Sequence, residues 1–248
     1  MRYKITVEYD GTELVGWQKQ LDGSSVQEFL EKAVYLFCQQ EVEVHGAGRT
    51  DAGVHAFNQV AHFDLSTPVS EFTLCEAMNA HLRAMDAPVA VLKAESVSDD
   101  FHARYSAVGR SYIYKIITRR APLALEKNRC WLVNVPLDVE KMRQGAQYLL
   151  GHHDFSSFRA IKCQATSPIK TLDKLDISQY GDAVTFLVEA KSFLHHQVRN
   201  MIGTLKMVGD GHFQPEDVKK ILEAKDRCLA GATAPACGLY LNEVMYQG

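Results

Sequence analysis

An arginine and an aspartate lie two residues apart in a glycine-rich stretch of this 248-residue chain. Residues 46–56 read GAGRTDAGVHA and place Arg49 and Asp51 between glycines at 46, 48 and 53. Glycine permits backbone angles and close approaches that a side chain would block. A rigid turn that presents a cation and a carboxylate suits a site better than a core. The alternative is a solvated loop whose Arg and Asp only cap and pair.

Two phosphate-binding motifs do not fit this stretch. A P-loop requires Gly-Lys-Ser/Thr after a first glycine and four residues, but Val54 stands where the lysine is needed. The dinucleotide fingerprint requires a third glycine at the position of Asp51. The stretch is therefore not built for either kind of phosphate.

The elements that must position this turn follow from hydrophobic periodicity, and the first half of the chain shows them most clearly. Ser25 and Glu28 form a capping box before an apolar helical stripe. The pattern predicts, in order, a strand over 2–9, a helix over 26–37, strands near 41–45 and 58–64, a helix near 70–83 and a strand near 88–95.

The second half shows a similar series. It predicts a strand over 110–119, a helix near 138–149, strands near 169–179 and 183–191, a helix over 198–208, a short helix opened by Pro215, and a strand over 239–246. Strands outnumber long helices, which favours an α+β fold with antiparallel sheets and helices on one side. We place the join near 106–109, with halves of 1–107 and 108–248 and no flexible linker.

Composition narrows the class of protein. No run approaches the roughly 18 apolar residues of a membrane span, and the alternating start is unlike a signal peptide. The six cysteines form no C-x-x-C pair, which predicts reduced thiols in a cytoplasmic protein. The ten histidines show no metal-ligand spacing, so we expect neither metal nor cofactor.

The net charge of −3 does not by itself indicate a nucleic-acid-binding protein. Phosphate binding depends on local clusters, however. One cluster combines basic residues with interleaved tyrosines; its basic members are Arg104, Arg110, Lys115, Arg119 and Arg120. From the residues alone, an RNA-binding surface and an ordinary solvated strand face are equally good interpretations.

The motif GRTDAGVHA closely resembles the signature of the tRNA pseudouridine synthase A (TruA) family. Further stretches resemble motifs of the same family, in the same order and across nearly the whole chain. They are residues 9–12 (YDGT) and 16–18 (GWQ), 25–27 (SVQ), 101–104 (FHAR), 110–114 (RSYIY), 154–159 (DFSSFR), 193–200 (FLHHQVRN) and 238–241 (GLYL). Together these motifs are highly specific.

The resemblance implies a fold and an activity. The fold would be two ferredoxin-like halves whose sheets join around a central cleft. The activity would be isomerisation of uridine to pseudouridine at positions 38, 39 and 40 of the tRNA anticodon stem-loop. The enzyme would need no cofactor, since no atom is gained or lost. It would act as a cytoplasmic homodimer, because the family binds one tRNA across two subunits.

The resemblance also assigns roles to site residues. Asp51 would be the nucleophile, as carboxylates are in retaining glycosidases, and Arg199 would keep it ionised. On a continuous helix, His195 and Arg199 would share a face. Tyr112 would stack on the target base and help to remove its C5 proton.

Three residues complete the predicted substrate site. Arg49 would occupy the space left by the extruded nucleotide. Leu194 and Val198 would wall the uracil pocket, although core packing explains both equally well.

Two other functions remain as alternatives. A non-catalytic RNA-binding module would stack bases on exposed sheet aromatics and would not need the set Asp51, Arg199 and Tyr112. A glycoside hydrolase or nucleosidase would need a second carboxylate, which no motif supplies. Three routes also remain open for Asp51: attack on C1′, addition to C6 of uracil, or elimination through a glycal.

Overall fold

The computed structural model describes residues 1–161 and 163–247. In chain order these residues form β1 (Arg2–Tyr9), α1 (Val26–Cys38), β2 (His45–Gly46), β3 (His55–Asp64), α2 (Glu71–Ala84), β4 (Val89–Val97), β5 (Ala107–Thr118), β6 (Trp131–Val133), α3 (Val139–Gln147), β7 (Gly151–Asp154), β8 (Ile169–Tyr180), β9 (Ala183–Ala190), α4 (Gln197–Gly209), α5 (Pro215–Ala224) and β10 (Leu239–Tyr246). The predicted α+β class is confirmed.

The chain forms two compact units. Unit 1 contains Met1–Val108 and the C-terminal segment from Tyr240, and unit 2 contains Gly109–Leu239. The last strand therefore lies with the first unit. The division of function between 1–107 and 108–248 stays a prediction.

In unit 1, β1 lies between β3 and β4 and is antiparallel to both. The second edge of β3 is shared by β10 near its start and by β2 near its end. Because β10 runs parallel to β3, the prediction of purely antiparallel sheets is wrong for this pair. The predicted strand over 41–45 is reduced to His45–Gly46, and β3 begins at His55, three residues earlier than predicted.

The core of unit 1 lies on one face of its sheet. Tyr3, Ile5 and Val7 alternate along β1 and are completely buried, as the period-two pattern predicts. The helices α1 and α2 contribute buried apolar side chains of their own. Ser25 caps α1 by accepting a hydrogen bond from the amide of Glu28.

In unit 2, β9 lies between β5 and β8, and β7 forms the outer strand beyond β8; these pairs are antiparallel. β6 adds a short parallel pairing to β5, which is a second departure from the antiparallel prediction. Phe186 and Val188 of β9 and Met201 of α4 are completely buried in its core. No helix in residues 1–161 or 163–247 is long and apolar enough to cross a membrane.

Candidate active site

Asp51 lies on a tight turn between β2 and β3, the stretch 46–56 singled out above. The amide of Val54 donates to the carbonyl of Asp51 at 3.1 Å, and Gly53 has a φ of +77°. Asp51 is half-buried and Arg49 is exposed. Both charged side chains of the turn therefore retain exposed surface, while a hydrogen bond within the turn fixes its backbone.

The N-terminal motif of residues 9–18 holds the residue that precedes Asp51. Thr50 is only 8% exposed, and its hydroxyl lies 2.8 Å from that of Tyr9. The carbonyl of Thr50 accepts from the amide of Trp17 at 3.1 Å. Gly16, at a φ of +108°, packs so closely that a Cβ there would lie 2.5 Å from this carbonyl. The motifs of residues 9–18 and 46–56 therefore pack against each other and form one structural unit.

Two further hydrogen bonds fix the rest of the turn. The amide of Gly53 donates to the carbonyl of Leu14 at 3.4 Å. His55 is 2% exposed, and its Nδ1 accepts from the amide of Gly11 at 3.0 Å. The same Nδ1 lies 3.2 Å from Oδ1 of Asp10. His55 was not among the predicted site residues, although it stands within the signature motif.

The glycines of the turn have different roles. A Cβ at Gly46 would lie 2.5 Å from the Trp17 ring, and Gly53 needs its positive φ. Gly48 has open space within 4 Å and no positive φ. Of the three glycines, Gly48 therefore makes no close approach within the described part of the chain.

Tyr112 lies on β5 opposite Val188. It is half-buried, and its ring meets Phe193 edge-on, with centroids 5.2 Å apart. Tyr114 is completely buried, and its hydroxyl donates to the carbonyl of Pro235 at 2.8 Å. Burial raises the pKa of Tyr114. Of the two tyrosines, Tyr112 is the one that retains exposed surface.

Arg199 lies in the first turn of α4 and is half-buried. Its Nε donates to the carbonyl of Ala234 at 2.7 Å, and the amide of Ala234 donates back to the Arg199 carbonyl at 3.1 Å. The prediction that His195 and Arg199 share a helix face is wrong, because α4 begins at Gln197. The left-handed backbone of His196 (φ +62°) interrupts the helix before it.

A buried polar network joins α4 to the segment that holds Arg199. Asn200 is completely buried and donates to the carbonyl of Phe158 at 2.8 Å. Its Oδ1 accepts from Arg227 Nη2 at 3.0 Å and from the hydroxyl of Thr233 at 2.7 Å. Sequence analysis missed these residues, although a polar side chain at 200 inside an apolar helical stripe was a signal.

Close backbone packing supports the same junction. A Cβ at Gly203 would lie 1.8 Å from the carbonyl of Ala232. The hydroxyl of Thr204 accepts from the amide of Gly231 at 2.9 Å. The residues 231–234 are therefore fixed against one face of α4.

Leu194 and Val198 are each 4% exposed. The amide of Leu194 donates to Oε1 of Gln197 at 2.8 Å, which closes the turn before α4. Their burial fits core packing, so the predicted contact with uracil stays a prediction.

The six predicted site residues divide between the two units. Arg49 and Asp51 share one turn of unit 1. Tyr112 lies on β5 of unit 2; in the same unit Leu194 lies in the turn before α4, and Val198 and Arg199 lie in the first turn of α4.

Comparisons with known proteins show which family the chain resembles. A family model described as tRNA pseudouridine synthase matches residues 5–106 and 146–247. A tRNA pseudouridine synthase A of Paramagnetospirillum magneticum is 57% identical over 245 residues, covering 99% of this chain and 95% of that protein. Proteins of the same name from Parvibaculum lavamentivorans and Rhodospirillum centenum are 53% and 54% identical, each with 99% of both chains covered.

Proposed function

The chain belongs to the tRNA pseudouridine synthase family and is an isomerase that acts on tRNA uridines; on that premise, we propose that Asp51 is its nucleophile and that its targets are positions 38, 39 and 40 of the anticodon stem-loop. One observation carries the proposal for Asp51. Its half-buried carboxylate stands on a turn whose backbone is tied at Thr50 and at Gly53. Such fixed placement is what a nucleophile requires.

The reaction rearranges bonds without adding or removing atoms. The N1–C1′ bond of uridine breaks, a C5–C1′ bond forms, and the proton on C5 is lost while N1 gains one. A carboxylate can hold the intermediate covalently while the base turns over. Attack on C1′, addition to C6 and elimination through a glycal all use the same carboxylate, so the proposal for Asp51 holds for each route.

Arg199 and Tyr112 have supporting roles in this proposal. A guanidinium near a carboxylate favours its ionised form, and the bond from Nε to Ala234 limits how Arg199 can move. Tyr112 stacks on the target uracil, and its hydroxyl assists removal of the C5 proton. The edge-on contact with Phe193 fixes the plane of the ring.

The remaining predicted residues bind the substrate in this proposal. Arg49 is exposed on the same turn as Asp51, and its planar guanidinium replaces the extruded nucleotide in the stack. Leu194 and Val198 form an apolar wall of the uracil pocket.

We also propose ferredoxin-like halves and a cytoplasmic homodimer. In unit 1 the order β1-α1-β2-β3-α2-β4, with β4, β1, β3 and β2 as successive neighbours, supports the first part. Light scattering at micromolar concentration measures the second, and a single-chain mass would contradict it.

Replacement of Asp51 by Asn tests the nucleophile, because Asn keeps the size and removes the negative charge. The variant should fold and bind tRNA like the parent, since phosphate contacts carry most of the affinity. Its pseudouridine formation should fall below detection. Asp86→Asn, at an exposed left-handed position of the same unit that Asn tolerates, is the matched control.

Substantial turnover by a well-folded Asp51→Asn protein would remove this residue from the mechanism. The target positions need a separate measurement. Transcripts with a single uridine at 38, 39 or 40 should each be modified, and modification only at other positions would contradict that part of the proposal.

A further inference from the structure

The sheet of unit 1 has a second face that its core does not use. α2 packs on β4 and α1 on α2, and Lys4 points away from the buried Tyr3 and Ile5 because side chains alternate along a strand. Three residues stand beside it across the sheet at paired positions. Lys4 pairs with Glu95 of β4 and with His62 of β3, and His62 pairs with His45 of β2.

Hydrogen bonds fasten the segment 98–106 to this face. The amide of Ala103 donates to His62 Nδ1 at 3.2 Å, and the hydroxyl of Tyr246 donates to the carbonyl of Ala103 at 2.7 Å. Arg2 donates to the carbonyl of Phe101 at 2.9 Å. Ala103 is completely buried as a result. The side chains that this segment presents are therefore held in fixed positions.

A continuous series of rings runs from the sheet to the surface of this segment. The ring centroids of His45 and His62 are 5.0 Å apart, those of His62 and His102 are 4.6 Å apart, and those of His102 and Tyr105 are 4.4 Å apart. The Arg104 guanidinium lies 5.8 Å from the centre of the Tyr105 ring. Tyr105 remains 76% exposed.

Two imidazoles in this series, those of His62 and His102, have pKa values below the ordinary value of histidine. Burial lowers the pKa of His62 to about 4, and the neighbouring His102 and His45 add to the effect. Burial and His45 also lower the pKa of His102. Of the nearby cations, Arg2 is paired with Asp64 at 2.8 Å and Lys4 with Glu95 at 2.9 Å. The outer end of the series is thus an exposed ring beside an arginine.

We propose that Tyr105, supported by His102 and flanked by Arg104, is a stacking platform for an unpaired nucleotide of the tRNA other than the reacting uridine. The inference deepens the proposed function by assigning a second contact with the same substrate. Unpaired RNA bases stack on aromatic rings and arginine planes. The ring provides the base contact, and the guanidinium is suited to the adjacent phosphate.

A polar groove of the same unit fits the same occupant. It has a volume of about 380 Å³ and is lined mainly by polar residues, among them Lys4, Asn58, Asn242, Glu243 and Tyr246. Lys4 lies between the groove and the segment 98–106, because its Nζ lies 5.6 Å from the ring of Tyr246, which lines the groove, and 6.0 Å from the Phe101 ring. Amides and a carboxylate match the donors and acceptors of a base edge, whereas a docked protein would favour an apolar centre.

The test compares three substitutions at one position with a control elsewhere. Tyr105→Ala removes the ring, Tyr105→Phe keeps the ring without its hydroxyl, and Tyr105→Leu keeps apolar bulk without a π face. Phe72→Ala is the matched control, because Phe72 is 78% exposed in the same unit and has no ring contact among the described residues. Thermal unfolding is measured for every variant.

We expect Tyr105→Ala and Tyr105→Leu to weaken tRNA binding about tenfold or more and to raise KM, while kcat at saturating tRNA stays unchanged. Tyr105→Phe and Phe72→Ala should bind like the parent. Binding of Tyr105→Ala within twofold of the parent would overturn the proposal, and so would equal losses for Phe and Ala at this position. Because binding is read without turnover, a failed assignment of Asp51 leaves this test intact.

Discussion

The turn that carries Asp51 and the helix that carries Arg199 are held by different kinds of contact. Around Asp51, main-chain hydrogen bonds and a close glycine contact dominate, with Gly16 packed against the Thr50 carbonyl. Around Arg199, a buried side-chain network centred on Asn200 holds the segment 231–234. The Ala234 carbonyl of this segment accepts a hydrogen bond from Arg199 Nε. The main-chain contacts around Asp51, called here the backbone clamp, require glycine where the chain segments approach closely. The network around Arg199 instead requires particular polar side chains.

The difference follows from the local geometry. Asp51 stands in a loop with no regular hydrogen-bond ladder, so neighbouring backbone groups must satisfy its polar main chain. Arg199 stands on a helix whose main chain largely satisfies itself, so side chains must fix the neighbouring segment. The two regions should therefore fail in different ways when they are mutated.

The largest effect is expected for Gly16→Ala. The added Cβ would lie 2.5 Å from the Thr50 carbonyl at a φ of +108°, and the strain should cost about 2–4 kcal/mol of unfolding free energy. Displacement of the turn should lower turnover about 100-fold. Gly48→Ala is the control in the same turn, since open space surrounds Gly48. If Gly16→Ala unfolds and forms pseudouridine like the parent, the close contact of Gly16 with Thr50 does not hold the Asp51 turn in place.

The next effect is expected for Asn200→Ala. The substitution removes the partner of the Phe158 carbonyl and the acceptor of the Thr233 hydroxyl, and it leaves Arg227 Nη2 with only Thr233 Oγ1 at 3.1 Å. The expected cost is about 2–4 kcal/mol of stability. Movement of the Ala234 carbonyl should then lower kcat about tenfold while the Kd for tRNA stays unchanged.

Asn79→Ala is the matched control for that variant. Asn79 bonds both the amide and the carbonyl of Val91 in unit 1, so its loss should lower stability without changing kcat of the folded protein. Equal kcat in both variants and the parent would show that the Asn200 network stabilises the fold but does not position Arg199.

A smaller effect is expected where a side chain contributes to the backbone clamp. Tyr9→Phe removes the partner of the buried Thr50 hydroxyl and should cost about 1–2 kcal/mol. Replacement of both groups, in Tyr9→Phe with Thr50→Val, should cost less than the sum of the two single changes. Denaturant unfolding of the parent, the two single variants and the double variant measures this coupling. Strict additivity would show that the hydrogen bond between Tyr9 and Thr50 does not stabilise the turn.

The smallest effect is a pH dependence of stability in unit 1, which the Asn200 network of unit 2 should not share. Burial lowers the pKa of His62 from its ordinary value of 6.5 to about 4 in the folded protein, so below pH 6.5 the unfolded chain binds a proton at this imidazole that the folded chain does not bind. The stability contribution is full above about pH 6.5 and is lost as the pH falls toward 4. Asn200, Arg227 and Thr233 contain no group that titrates in this window.

Unfolding at pH 7 and pH 5 measures this difference. His62→Gln, which keeps an acceptor for the Ala103 amide, should lose less stability on acidification than the parent does. Asn200→Ala should show the same loss as the parent between these pH values. An unchanged pH dependence in His62→Gln would refute the assignment to this imidazole.

Much of the fold could be read from local patterns. The alternation along β1 and the apolar stripe of α1 predicted those elements almost to the residue, because each buries one face and leaves the other polar. The strand predicted over 41–45 was mostly wrong, since a short apolar alternation does not say whether a partner edge is available. The parallel pairings of β10 with β3 and of β6 with β5 join segments distant in sequence, which local periodicity does not report.

By itself, the sequence determined the α+β class, the boundaries of the strongly periodic elements and the family, because side-chain period and motif spelling are local properties. Only the tertiary structure decided which residues hold Asp51 and Arg199. The contacts of Thr50 with Tyr9 and Gly16, and of Asn200 with Arg227 and Thr233, span more than 25 residues of chain in each case. It also decided that His195 lies before α4, because the left-handed backbone of His196 ends the helical geometry there.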